Sequence, residues 1–458
     1  MKFNRSILTA VLLVAAFCMP AFAQQAPSDT AAESNPFVSN NNLLKKAKTA
    51  ATNSSLVAVD PVRQLAFVAR KSLGTVSGHG LVDVIDLKAN PNRKDPRKTT
   101  IDLGHADLPI GVAVDVAHGR LIVVSGRNGG DGKLDIIRES NFTPFPGSPF
   151  AFPAGSDTGH VAQVIFDPVR KKAVVATITT GSNTDHVANA TTGFTVFDLT
   201  SKTFGPIIPA ASSDNFAFNA VTNVVISPAD ALDPPIDAVD IANGKGCTSD
   251  PADTNLENQH DSDGAGFDPA SNLVVVGDDS DHDVTVVNLN GSTFANESSP
   301  PCTLLEAGTT PNSVNITTTL FPNPAGIAIN LKNHQALIEQ SGGTGVALAQ
   351  LPAKPVAQID STKAFLISEA LLPKDPNNAN ADIEGFPYSA AIDPKRNLGY
   401  GDANDTFLAQ ISLKKLKMNP SGISTALPSG NCKGTTTTFG CSNGAGVMYF
   451  PLSDTSTE

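Results

Sequence analysis

A two-part apolar pattern recurs along this chain. Its first copy, at residues 56–68, reads LVAVDPVRQLAFV, in which an apolar segment ends at Asp60, a polar turn follows, and a second apolar segment begins. Further copies are GVAVDVAHGRLIVV at 111–124, AQVIFDPVRKKAVV at 162–175, GAGFDPASNLVVV at 264–276, GIAINLKNHQALI at 326–338 and SAAIDPKRNLGY at 389–400. Short apolar runs on either side of a polar turn are typical of a β-hairpin. Each copy therefore predicts two antiparallel strands.

A third apolar segment follows most copies after a loop rich in Gly and Asp. The segments are LVDVIDL at 81–87, KLDIIR at 133–138, GFTVFDL at 193–199, DVTVVNL at 283–289, GVALAQL at 345–351 and FLAQISL at 407–413. They alternate with period two, as a strand with two different faces must. Three strands per copy make up most of a four-stranded propeller blade.

The spacing of the copies predicts how many blades there are. The anchor residues that end the first segments are Asp60, Asp115, Asp167, Asp268, Asn330 and Asp393. Neighbouring anchors lie 52 to 63 residues apart, except for one gap of 101 that contains a degenerate copy at 223–228. With that copy the pattern predicts an all-β, seven-bladed β-propeller in which one blade is degenerate. The alternative is a β-helix or an open array, although these have shorter repeats. Long insertions are expected around residues 230–258.

The repeat resembles the YVTN-type β-propeller repeats of exported bacterial and archaeal proteins. The matching words are PIGVAVD at 109–115, PAGIAIN at 324–330, and the strand that ends in VIDL. The resemblance covers residues 56 to about 413. The resemblance implies a propeller fold. The family and its relatives include surface-layer proteins, binding proteins and a lactonase-like branch. No catalytic motif of that branch can be placed on residues of this chain.

The first 23 residues have the pattern of a secretory signal peptide. Lys2 and Arg5 precede an apolar run, and Ala21 and Ala23 supply the small residues expected before cleavage at Gln24. We therefore expect a periplasmic or secreted protein with four parts: the signal peptide at 1–23, a flexible leader at 24–53, the propeller at 54–417, and a C-terminal tail at 418–458. A strand at 446–452 of that tail could complete an outer blade position and close the ring.

Charge and hydropathy narrow the classes of partner. The net charge of −12 disfavours nucleic acid as a partner. No stretch after the signal peptide is long and apolar enough to span a bilayer, so we expect no transmembrane segment. We also expect the protein to be a monomer. The partner that remains is an unknown ligand or a protein of the cell envelope.

Four cysteines follow the signal peptide, which suggests two disulfide bonds in an oxidising compartment. We predict that Cys432 pairs with Cys441 across a short loop, which leaves Cys247 to pair with Cys302. A metal site is the alternative, but no pair has the C-x-x-C spacing and no His lies close by.

Acidic residues and histidines supply two candidate sites. The cluster of Asp278, Asp279, Asp281 and Asp283 could hold Ca²⁺ through carboxylate oxygens, although a solvated acidic hairpin is the favoured interpretation. A second candidate set lies 7 to 10 residues before the anchors, where the chain leads into innermost strands: His105, His160, His260 and Glu384. Imidazoles and carboxylates that converge at a channel mouth could bind a ligand or a metal.

Two functions fit this sequence. The first is an exported, non-catalytic propeller that binds a ligand, glycan or protein in the cell envelope. The second is a propeller hydrolase, lactonase-like or metal-dependent, that uses the mouth of the central channel. The sequence contains no nucleophile elbow, Walker loop, H-E-x-x-H motif or dinucleotide fingerprint, which favours the first and leaves enzymatic activity an open question.

Overall fold

A computed structural model describes most of the chain between residues 52 and 451. The described ranges are 52–53, 56–70, 73–74, 77–89, 97–126, 129–158, 164–181, 191–210, 215–228, 236–248, 262–278, 283–289, 313–317, 324–340, 345–356, 359, 366–371, 390–403, 407–417, 423–424, 431–432, 441–442 and 447–451.

Nearly all regular structure in these ranges is β-strand. The strands of the first half are β1 Thr52–Asn53, β2 Val57–Asp60, β3 Leu65–Ala69, β4 Leu81–Asp86, β5 Arg97–Asp102, β6 Leu108–Asp115, β7 Arg120–Gly126, β8 Lys133–Arg138, β9 Thr143–Pro144, β10 Phe150–Ala151, β11 Ser156–Asp157, β12 Val164–Asp167, β13 Lys172–Thr179, β14 Gly193–Asp198, β15 Thr203–Phe204 and β16 Ile208–Pro209. Those of the second half are β17 Ala217–Asn219, β18 Val224–Pro228, β19 Ile236–Asp240, β20 Lys245–Thr248, β21 Ser262–Asp268, β22 Leu273–Asp278, β23 Asp283–Asn288, β24 Ser313–Thr317, β25 Pro324–Asn330, β26 Gln335–Gln340, β27 Gly345–Gln350, β28 Leu366–Leu371, β29 Ala390–Asp393, β30 Leu398–Ala403, β31 Phe407–Ser412, β32 Ile423–Ser424, β33 Asn431–Cys432, β34 Cys441–Ser442 and β35 Val447–Pro451. One short helix, α1, spans Leu413–Lys417.

The described strands form seven sheets, which we number along the chain. Sheet 1 contains β2–β5, sheet 2 β6–β10, sheet 3 β11–β16, sheet 4 β17–β20, sheet 5 β21–β24, sheet 6 β25–β28 with β32, and sheet 7 β29–β31 with β1 and β33–β35. Pairing is antiparallel throughout, apart from β28 with β32. The all-β class is confirmed, and every predicted hairpin and third segment is a pair or a strand of one of these sheets.

Sheet 4 corrects two sequence expectations. Its first strand is β17, and the anchor that ends this strand is Asn219. The segment at 224–228, which the sequence suggested as a degenerate first segment, is instead the second strand, β18. The expected insertion around 230–258 contains the third and fourth strands, because β19 pairs with β18 and β20 pairs with β19. Sheet 4 therefore has four strands in chain order, as sheets 1 and 5 do. Asn219 falls 52 residues after Asp167 and 49 before Asp268, which resolves the gap of 101.

Apolar side chains hold each sheet against the next. Buried clusters join sheets 1 and 2, 2 and 3, 3 and 4, 4 and 5, and 5 and 6, and another joins sheet 7 to sheet 1. Between sheets 6 and 7, β25 packs against β29, and the Asn330 side chain donates a hydrogen bond of 2.6 Å to Asn397. Such packing removes the apolar area of both sheet faces from water, which is the main favourable contribution to folding.

First strands contact first strands across most of these junctions: β2 with β6 and β29, β6 with β12, β21 with β17 and β25, and β25 with β29. The first strand of each sheet is therefore the inner one. In sheet 7 the C-terminal strand β35 pairs with β31, in the position of a fourth strand. No described helix is long and apolar enough to cross a membrane.

Candidate functional site

The turn between the first and second strands has the same length in all seven sheets. It spans four residues each time, at 61–64, 116–119, 168–171, 220–223, 269–272, 331–334 and 394–397. The anchor side chain accepts hydrogen bonds from the backbone N–H groups that follow, as Asp60 does from Val62 at 2.7 Å and Arg63 at 2.9 Å. The last turn residue has a positive φ in each case, for example 57° at Gln64. We call these seven turns the constant face.

Arginines of the constant face tie neighbouring sheets together. In sheets 1, 3 and 7 the arginine three residues after the anchor donates both to that anchor and to a backbone carbonyl of the next sheet. The second contacts are Arg63 to Val116 at 2.9 Å, Arg170 to Ala220 at 2.9 Å and Arg396 to Pro61 at 2.8 Å. The last of them joins sheet 7 to sheet 1 across 335 residues of sequence.

The opposite ends of the strands are connected very differently. Loops between second and third strands vary from three residues, at 404–406, to thirteen, at 180–192. The segments that lead from one sheet into the first strand of the next lie on the same side, because strand direction alternates within each sheet. We call this set of connections, which includes residues 103–107, the variable face.

Of the four residues predicted at the channel mouth, His105 is the one that the structure describes, and it lies on the variable face. Its Nε2 is 2.9 Å from an Asp135 carboxylate oxygen, and its Nδ1 is 3.0 Å from Asp107. The second contact falls outside hydrogen-bond geometry. With a carboxylate beside each ring nitrogen, the imidazole is clamped between the lead-in to sheet 2 and the third strand of that sheet. A metal at either nitrogen would have to displace one carboxylate.

Asp107 connects His105 to a lysine. Its carboxylate is fully buried, and the Nζ atom of Lys133 lies 2.5 Å from the oxygen that also faces His105. The other carboxylate oxygen has no hydrogen-bond partner. On the far side, Asp135 accepts a hydrogen bond of 3.0 Å from the Ser148 hydroxyl. These residues form a continuous polar chain within sheet 2 and the segment that leads into it.

The other three members of the predicted set, His160, His260 and Glu384, lie outside the described residues. Convergence of the four at a channel mouth therefore stays a prediction. Among the residues that the structure does describe, no group of three His, Cys, Asp or Glu side chains is arranged to hold a metal ion.

The predicted calcium and disulfide residues fall at the edge of the described structure. Asp278 ends β22, Asp283 begins β23, and the two residues lie opposite one another in this strand pair. Asp279 and Asp281 lie outside the described residues. Cys432 and Cys441 lie opposite one another on β33 and β34. Cys247 lies on β20, and Cys302 lies outside the described part. Both sites stay predictions.

Sequence reasoning missed one buried carboxyl group, that of Glu139. It directly follows the third strand of sheet 2, and its side chain is fully buried against the constant-face turn of sheet 1. Neither carboxyl oxygen accepts a hydrogen bond in the structure. Oε2 lies 3.6 Å from the Nε atom of Arg63, within ion-pair distance. The sequence did contain a signal for this residue, namely a charged side chain at a position that is otherwise apolar. Five of the six other third segments continue into a leucine here, and the remaining one continues into Ile241.

The surroundings of Glu139 favour its neutral form. Burial is the largest cause, followed by Asp60, which can accept a hydrogen bond from the protonated acid and repels the ionised one; together they raise the pKa of Glu139 to about 9. The cation of Arg63 acts in the opposite direction but is outweighed, because its NH1 is already engaged by Asp60 and by the backbone of sheet 2.

Comparisons with known proteins found solved structures that are similar to this chain. A structure of RRP9 WD40 repeats matches with a TM-score of 0.48 at 11% identity, over 88% of this chain and 95% of that one. A complex of KlAtg21 with the coiled coil of AgAtg16 matches with 0.46 at 11%, over 78% and 93%. A nidogen/laminin complex matches with 0.35 at 13%, over 52% and 76%. No family model and no curated protein matches the chain.

Proposed function

We propose that this chain is an exported seven-bladed β-propeller that binds a ligand or protein partner of the cell envelope through its variable face, without catalysis. Each of the seven sheets would be one blade, closed into a ring by the contact between Arg396 and Pro61. The YVTN-type repeat grammar and the signal-peptide pattern at 1–23 support export and the family resemblance.

The contrast between the two faces is the observation on which the binding proposal rests. On the constant face, seven turns share one length and a positive φ at the last residue, as expected for connections that only maintain the ring. On the variable face, the connections differ from sheet to sheet in length and sequence. Binding residues are concentrated on loops that a rigid scaffold positions, so the variable face is the one suited to recognise a partner.

The chemistry of the described polar groups supports binding more than catalysis. The anchor carboxylates are occupied by the turns that they begin, and the ring of His105 is held between two carboxylates. A general base needs a lone pair that can reach a substrate, and the imidazole of His105 has a carboxylate beside each nitrogen.

Site-specific photo-crosslinking tests the proposed face. Two exposed alanines make a matched pair, since Ala106 lies on the variable face beside His105 and Ala117 lies in the constant-face turn of sheet 2. A photoreactive amino acid is placed at either position in the full chain, expressed in its own cells, and irradiated. We expect adducts of defined mass from position 106 and none from position 117. Adducts from 117 alone, or equal adducts from both, would contradict the assignment.

Export has its own readout. We expect the mature protein to begin at Gln24 and to be recovered outside the cytoplasm. N-terminal sequencing of the protein from fractionated cells decides this, and an intact Met1 in the cytoplasmic fraction would contradict it.

A further inference from the structure

At one position of the repeat, sheet 2 carries a carboxyl group where the other six sheets carry an aliphatic side chain. The residue after each third strand donates its backbone N–H to the carbonyl of the last turn residue in the same sheet, as Glu139 does to Gly119 at 3.0 Å. The same hydrogen bond identifies the equivalent residues as Leu87, Leu199, Ile241, Leu289, Leu351 and Leu413. Glu139 thus occupies a core position of the repeat, and an ordinary substitution there would be another apolar residue.

Charged groups from both sheets surround this carboxyl. Sheet 1 contributes the anchor Asp60 and the turn residue Arg63, and the charges of both side chains act on Glu139. From its own sheet, Glu139 faces the charge of Asp115, which is in turn paired with His118 at 2.8 Å and lies 4.0 Å from Arg120. The neighbouring Arg138 is directed elsewhere, over the ring of Phe145 at 4.4 Å. Two carboxylates therefore compete for the single guanidinium of Arg63.

The hydrogen bonds of Asp60 distinguish its carboxylate from that of Glu139. It already accepts from the backbone N–H groups of Val62 and Arg63 and from the guanidinium of Arg63. Glu139 has no comparable donors, and as a neutral acid it can donate its own O–H to Asp60, which gives the buried group the partner that it otherwise lacks.

We propose that Glu139 is a proton-binding site at the junction of sheets 1 and 2, and that this junction is held more tightly when the side chain is a neutral acid than when it is ionised. The proton bridges the carboxyl of sheet 2 to the turn of sheet 1. Its loss places a second buried negative charge beside Asp60, and opening of the junction lets water reach that charge. The corresponding junctions elsewhere have an aliphatic side chain at this position and lack the response.

The sign of the pH dependence follows from the raised pKa of Glu139, which is about 9 in the folded chain against 4.5 for the free side chain. Below the lower value the group is protonated in both the closed and the open junction, and its contribution is fully present. As the pH rises between the two values, opening releases a proton, so the equilibrium favours opening by about tenfold per pH unit. Above the higher value the contribution is lost.

Hydrogen–deuterium exchange of single amides tests this. The amides of Val62 and Arg63, bonded to Asp60, report on the junction, and the equivalent amide of Ala270, bonded to Asp268 at 3.0 Å, reports on sheet 5. After correction for intrinsic exchange, we expect opening at residues 62 and 63 to increase by about 100-fold between pH 6 and pH 8 and opening at 270 to stay constant.

Three variants separate the proton from other causes. Glu139→Gln keeps the shape without the titration, and Glu139→Leu restores the residue found at most equivalent positions; both should abolish the pH slope. Asp198→Asn is the matched control, because it removes an exposed carboxyl from the equivalent hairpin of sheet 3, where the N–H groups of Thr200 and Ser201 lower the pKa of Asp198. It should leave the slope unchanged. A C=O stretching band of a protonated acid should be present at neutral pH and missing from Glu139→Gln.

The proposal is overturned if both Glu139 variants keep the wild-type slope, if Ala270 shows the same slope as the junction, or if the acid band persists in Glu139→Gln. None of these readouts depends on the bound partner, so failure of the proposed binding function would leave this test intact.

Discussion

Arg396 provides the most direct test of how the ring of sheets is closed. Its guanidinium donates to the buried carboxylate of Asp393 within sheet 7 and, at 2.8 Å, to the carbonyl of Pro61 in sheet 1. Replacing Arg396 with Met keeps most of the apolar stem and removes both contacts. The carboxylate of Asp393 is fully buried, so it cannot regain full hydration after the substitution.

The expected loss can be worked from these contacts. A hydrogen bond to a charged group contributes about 1.5–3 kcal/mol, and removing one partner of a buried ion pair costs about 3–5 kcal/mol. Asp393 retains two backbone donors, Lys395 at 2.9 Å and Arg396 at 3.1 Å, which keeps the loss at the lower end. We expect Arg396→Met to lower the free energy of unfolding by about 3 kcal/mol.

Urea denaturation followed by circular dichroism measures this difference. Lys395→Met is the control, because the neighbouring side chain is exposed and should contribute within about 0.5 kcal/mol. Arg170→Met tests the same chemistry at the junction of sheets 3 and 4, where Arg170 donates to Asp167 and to Ala220, and it should cost about as much as Arg396→Met. If Arg396→Met and Lys395→Met have equal stability, the guanidinium does not hold sheet 7 to sheet 1.

Three further predictions test other parts of the structure. Gly193→Ala should destabilise by roughly 3 kcal/mol, because φ is 142° and a Cβ atom would lie 2.0 Å from a backbone carbonyl oxygen, whereas Gly181→Ala, at a φ of 74° with open space around it, should cost only about 1 kcal/mol in thermal unfolding. Cys432→Ser should cost about 2–3 kcal/mol and expose one free thiol, that of Cys441, in a thiol titration under denaturing conditions, and two free thiols in the wild-type tail would contradict the predicted disulfide. Lys133→Met should lower the urea midpoint by an amount equivalent to about 2–3 kcal/mol, since it removes the ammonium group from a fully buried carboxylate, and an unchanged midpoint would show that the lysine is not needed there.

Much of the fold could be predicted from the sequence because it depends on local patterns. A strand with two different faces needs alternating side chains, and a four-residue turn that begins with an Asp or Asn side chain needs a particular set of backbone donors. Sheet 4 shows the limit of that reasoning. Its first strand has only three residues and ends in Asn219 without a following proline, so the apolar run at 224–228 gave the stronger signal although it forms the second strand.

The candidate site was less accessible from the sequence. His105 could be placed on the variable face from topology alone, because its distance from the next anchor fixes the end of the strand at which it lies. Its contact with Asp135 could not, since Asp135 is 30 residues away and reaches His105 only through the folding of sheet 2.

The sequence by itself determined the repeat, the strand pairs and the turn that each anchor begins, because neighbours along the chain provide those interactions. Only the tertiary structure decided which charges meet. Arg396 reaches Pro61 after 335 residues, and Glu139 becomes a buried acid only when the turn of sheet 1 covers it. Desolvation and charge coupling depend on distances through space, and packing of one sheet on the next sets those distances.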